Sequence, residues 1–165
     1  MKTFRNFPII LTLCLIFTSC AGEYVRIVSF SANGIEYAII DEHTVSVKGY
    51  SDGFKEENIH IPAIVEHLST SKPYTVTGIK RSAFYGCTWL QSIHLPKTLE
   101  FIEAGAFAEC NSIEAITIEA ALPPILKGKV FENSVQETAI VKVPYSSVYE
   151  KDEDWSQFSH IVDLE

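Results

Sequence analysis

The segment AFYGCTWLQSI begins at Ala83, and AFAECNSIEAI begins 23 residues later at Ala106 (106 − 83). Phe84 recurs as Phe107 at a step of 23 and as Phe131 at a step of 24. Cys87 recurs as Cys110, and Ile79 recurs as Ile102 and then Ile125. A strand-like motif appears four times: IHIP at Ile59, IHLP at Ile93, ITIE at Ile116 and VKVP at Val141. The first step between these motifs is 34 residues, with the extra length around EHLSTSKPY, and the last is 25. In the third copy Glu119 stands where the others have proline.

A fixed period of about 20–29 residues with alternating aliphatics is the pattern of a leucine-rich solenoid. One such unit cannot bury its own apolar side. Stacking sets Phe on Phe and Ile on Ile, so that neighbours complete one continuous core. The expected fold is a β-rich α/β chain: a short leucine-rich repeat solenoid of about three rungs, sealed at both ends, because terminal rungs need polar outer faces. Val-, Ile- and Tyr-rich stretches from Tyr24 to Gly49 read as two or three antiparallel strands. Asn33-Gly34 supplies a hairpin turn that needs positive φ at both positions, and DEHT at Asp41 a second turn. YSDGFKEEN reads as a polar loop. At the other end, Ser146 or Ser147 can cap a short helix, with Glu150 at capping-box distance from Ser147. Val148, Trp155 and Phe158 are its apolar anchors, and HIVDL a final strand. The organisation expected is a signal peptide over 1–19, an N-terminal β-hairpin cap over 20–58, repeats over 59–145 and a C-terminal helix-strand cap over 146–165.

The signal-peptide reading rests on MKTFRNFPIILTLCLIFTSC. Lys2 and Arg5 precede an apolar run from Pro8 to Phe17 that is too short for a stable membrane span, and small residues precede Cys20. FTSC resembles the lipobox of bacterial lipoproteins, which implies acylation of Cys20 and firm anchoring by several buried chains. Cys14 competes less well, because bulky Leu13 precedes it. Removal of 1–19 takes two basic residues and no acid, so the net charge goes from −8 to −10 (11 − 21). A strongly acidic domain without a Lys/Arg run is not a nucleic-acid binder.

Strand alternation buries Ile59, Ile61, Ile93 and Leu95 and turns His60 and His94 outward. Thr117 and Lys142 continue that row, and Asn58, Ser92 and Ala115 flank it. His60, Ser92, His94, Thr117 and Lys142 are therefore the candidate ligand-binding residues on the open strand face. Two stacked histidines suggest a metal, but Thr117 and Lys142 are poor ligands, so no metal is expected. Cys87 and Cys110 lie about one strand spacing apart, roughly 5 Å, within disulfide range. Their side chains point in parallel, which suits buried thiols better than a bridge. Of the exposed-aromatic candidates Tyr85, Trp89 and Tyr145, Trp89 is expected to pack on the outer side of the solenoid. The acidic run EKDEDW lacks the glycine turn and closing glutamate of a calcium loop and reads as a solvated helix face. Nucleophile-elbow, zinc-protease, Walker and dinucleotide motifs are absent. No enzyme activity and no cofactor are expected.

The run IKRSAFYGCTWLQSIHLPKTLEFIEAGAFAECNSIEAITI, with ALPPIL, VKVP and VYEKDEDWSQFSHIV after it, resembles the BspA-like leucine-rich repeat proteins of Bacteroidetes, in the form of their exported lipoproteins. The stretch NGIEYAII…VSVKGY…IHIPAIV resembles the N-terminal cap of exported members. The resemblance implies an outer-membrane lipoprotein facing the cell surface or the periplasm. It also implies a role in binding a protein or glycan at the envelope, adhesion included. The rival role is structural: a subunit that self-associates through its end rungs. One acid, Glu23, follows Cys20 closely, which leaves open which side of the membrane the domain faces.

Overall fold

Phe84, Phe107 and Phe131 stack face to face, with ring centroids 5.2 and 5.4 Å apart and planes within 3° and 11° of parallel. The computed structural model describes residues 29–131 and 135–164 and builds two sheets around that ladder. All three rings are buried, so each rung supplies half of the next rung's hydrophobic floor. The signal-peptide expectation and Cys20 fall outside the described residues.

The chain opens with β1 (Ser29–Ala32), β2 (Ile35–Ile39) and β3 (Thr44–Tyr50). Asn33 and Gly34 join β1 to β2 with φ of 51° and 77°, as the hairpin turn requires. Asp41 accepts hydrogen bonds from the His43 and Thr44 amides and the Thr44 hydroxyl, which closes the second turn. The repeats then alternate between the sheets: β4 (Asn58–His60), β5 (Ile64–Glu66), β6 (Pro73–Ile79), β7 (Ser92–Leu95), β8 (Phe101–Glu103), β9 (Ala115–Ile118) and β10 (Ile125–Lys127). A one-turn helix α1 (Val135–Thr138), β11 (Ile140–Val143), a one-turn helix α2 (Ser146–Tyr149), a 3-10 turn (Trp155–Gln157) and β12 (His160–Asp163) complete it.

One sheet has seven strands in the order β1-β2-β3-β6-β8-β10, with β5 antiparallel on β6. The other has five, β12-β11-β9-β7-β4, and every pair in it is parallel. The N-terminal hairpin joins the seven-stranded sheet through a parallel pairing of β3 with β6. The extra length in the first step is the β5–β6 hairpin, closed between His67 and Lys72.

Three readings of the sequence are corrected. Ile125 does not follow Ile102 in the stack. Leu126 pairs with Ile102, while Ile125 pairs with Phe101 and is 63% exposed. The step stretches by one residue, as it does between Phe107 and Phe131, and a slip of one turns a strand's side chains over. The capping box does not form either. Ser146 is the first helical residue, Tyr145 precedes it without a side-chain cap, and the Ser146 amide donates to Asp163 Oδ1 at 2.6 Å. A carboxylate brought in by β12 serves the orphan amide that a local serine was expected to serve. Among the anchors, Trp155 and Phe158 are buried, but Tyr149 takes the buried place expected of Val148 and donates its hydroxyl to the Ala120 carbonyl at 2.8 Å.

Candidate functional site

The five-stranded sheet sets four of the expected residues in one line. His60 pairs with His94, His94 with Thr117 and Thr117 with Lys142, and Val162 on β12 extends the row. Ile59, Ile93, Ile116 and Val141 alternate with them and are buried, which fixes the row on the outward face. Beside it Asn58, Ser92, Ala115, Ile140 and His160 form a second line. Ser92 donates its hydroxyl to Asn58 Oδ1 at 2.6 Å and so ties two rungs together.

The His60 and His94 rings lie 4.5 Å apart, and His94 Nε2 is 2.8 Å from Glu119 Oε1. Glu119 follows β9 directly, its amide donating to the Leu95 carbonyl at 3.0 Å. Its carboxyl is held below the ordinary 4.5, first by the hydrogen bond with His94 and further by the charges of His94 and His60. Among the described residues no group of three or more His, Cys, Asp or Glu is placed to hold a metal ion. Glu119 is the site residue that the motif reading missed. Its signal was present as the one acid in the proline position of four strand motifs.

Elsewhere, Cys87 and Cys110 are buried free thiols. Cys110 donates to the Phe84 carbonyl at 3.0 Å and is pushed above the ordinary thiol range by its neighbour Cys87 and by burial. Cys87 is drawn below that range, first by the Cys110 thiol. Trp89 is half-buried, edge-on to Tyr50 at 5.7 Å, with the Lys55 ammonium 5.4 Å from its ring centroid. Tyr85 and Tyr145 are exposed. No described helix is long and apolar enough to cross a membrane.

Paired strands in stacked rungs, an aromatic ladder and a polar outward row define a leucine-rich repeat solenoid. Residues 65–150 match the BspA type leucine rich repeat region, in six copies, and the chain belongs to that family. Three solved structures share the fold at 18–23% identity. A leucine-rich repeat protein from Bacteroides capillosus has a TM-score of 0.59 at 18% identity, over 83% of this chain and 99% of that one. A leucine rich cell surface protein from Faecalibacterium prausnitzii has a TM-score of 0.51 at 20% identity, over 83% of this chain and 30% of that one. A leucine-rich repeat protein from Bacteroides ovatus has a TM-score of 0.50 at 23% identity, over 82% of this chain and 41% of that one. This chain thus spans less than half of the latter two. No curated protein matches the sequence.

Proposed function

We propose that the protein is an exported, lipid-anchored binding module of the cell envelope that engages a protein or glycan, and that it is not an enzyme. In this reading residues 1–19 are removed, Cys20 is acylated, 20–58 and 146–165 cap the stack and 59–145 are its repeats. The observation that carries the reading is the in-register row His60–His94–Thr117–Lys142 on the outward face of the all-parallel sheet. Solenoids present such extended faces to partners, because every rung repeats the same outward position. The likeness to a leucine rich cell surface protein supports display outside the cell, adhesion included.

Protease shaving of intact cells tests the location. Release of the peptide spanning 82–97 from intact cells places the rungs outside, and release only after lysis rules adhesion out. The triple variant H60A/H94A/K142E tests the face. It should lose binding to immobilised matrix protein or mucin while keeping its thermal midpoint. Undiminished binding excludes this face.

A second reading, self-association as a structural subunit, draws on β12. It ends the five-stranded sheet, and its Val162 and the following Leu164 are 42% and 36% exposed. Edge strands of this kind pair readily with another chain. A monomer by light scattering at all concentrations would exclude it.

A further inference from the structure

The chain carries a net charge of −8, yet the outward row is written in basic and neutral side chains: His60, His94, Thr117 and Lys142. The acid that meets the row is Glu119, which replaces the proline seen at Pro62, Pro96 and Pro144. The face therefore already holds a carboxylate, one that the chain itself supplies to His94. His60 extends the imidazole surface beyond that contact, and no ion pair to Lys142 forms among the described residues. Three strand intervals separate His60 from Lys142, about 14 Å of regularly spaced positions.

We propose that this row takes a sulfated or carboxylated glycan chain, held by Lys142 and by His60 and His94 in their protonated forms, with Glu119 competing for the same imidazole. The proposal rests on the binding-module reading and names the partner. A linear polyanion suits the row better than an acidic peptide. Peptides bind sheets through a free edge or anchor an apolar side chain in a pocket. Here the nearer edge strand, β4, is three residues long, and the row is a shallow polar surface of imidazoles, a hydroxyl and an ammonium. Repeated charges on a flexible sugar chain need neither an edge nor a pocket.

Acidity should set the affinity. Imidazoles gain charge as pH falls between about 8 and 5. Two charged rings 4.5 Å apart repel each other, and an anion laid across them relieves the repulsion. The other charged groups bearing on the pair are Glu119 behind β9, Lys97 behind β7, Lys142 on β11 and His160 at the far edge on β12. Glu119 stays ionised through this window, since its carboxyl lies below the ordinary 4.5. The row's positive charge therefore grows on acidification while its one acid stays constant.

Isothermal titration with dextran sulfate at about pH 5.5 and about pH 7.5, either side of the imidazole range, tests this, with neutral dextran and polyglutamate as controls. Dextran sulfate should bind about tenfold tighter at the lower pH and weaken with salt. H60A/H94A should abolish the pH dependence, K142A should weaken binding at both pH values, and E119Q should strengthen binding at the higher pH. A purely structural role for these residues would not produce a gain from E119Q. No binding at the lower pH, or a pH dependence unchanged in H60A/H94A, overturns the proposal. So does polyglutamate bound as tightly as dextran sulfate, which would point to acidic polypeptides. If the triple variant loses matrix-protein binding while dextran sulfate never binds the parent, the face stands and the anion is wrong. If matrix-protein binding is also unchanged, the binding-module reading falls as well.

Discussion

At Gly78 the fold depends on a missing atom. Ala38, Ser46, Gly78, Phe101 and Ile125 form one outward row across the seven-stranded sheet. The first three are small and buried, and the Phe101 ring lies over Gly78 where a Cβ would go. The Lys127 ammonium sits 3.6 Å from that ring's centroid. G78A should drive the ring off its neighbour and cost about 1–3 kcal/mol in urea unfolding, with a smaller cost in an F101A background. Asp163 acts at the same scale. Its carboxyl is held below the ordinary 3.8 by the Ser146 amide, so its contribution is present above that value and fades as pH falls through the lower folded one. D163N should lower the melting temperature at neutral pH and flatten its fall in acid, and an acid limb identical to the parent's would refute the cap. Glu119 was legible in the sequence as a departure from the repeat. Asp163 was not, because its partner is 17 residues away and meets it only once β12 has docked.

Among elements, the aromatic ladder carries the strongest expectation. F107A removes a ring stacked on both sides and should cost about 3–5 kcal/mol. An unchanged midpoint would sink the stacked-rung account. The four strands that build the five-stranded sheet were readable because each alternates a buried aliphatic with an outward polar or small residue. Their partners β8 and β10 were not, because FIE and ILK are only three residues long, too short for alternation to declare a phase. That is why the isoleucine recurrence slipped by one residue at Ile125. The β5–β6 hairpin was hidden in the longer first step, with Pro73 at its start where a strand signal is weakest. The imidazole row could be read in full, since a fixed period places equivalent residues side by side whatever the loops between them do.

Over the molecule as a whole, core and face separate cleanly. The buried positions are aliphatic and aromatic along the entire stack, while the row that would meet a partner touches solvent throughout. Variants of the row should therefore change binding without changing stability, and variants of the ladder should do the reverse; circular dichroism melts run beside each binding assay check both. The sheets also end out of step. The seven-stranded sheet stops at β10, whereas the five-stranded sheet continues through β11 and β12. Trp155 and Phe158 fill the resulting ledge, edge-on to Phe131 at 6.3 and 5.2 Å, and Trp155 donates to the Pro124 carbonyl at 2.8 Å. This bears on how such a gene can grow. A tandem duplication of 23 codons inside the run from Phe84 to Ile116 gives a taller protein of the same cross-section, since each rung's upper surface fits the next rung's lower one. A duplication that copies Val141 onward adds a second tryptophan with no ledge to receive it, so lengthening is confined to the interior of the reading frame.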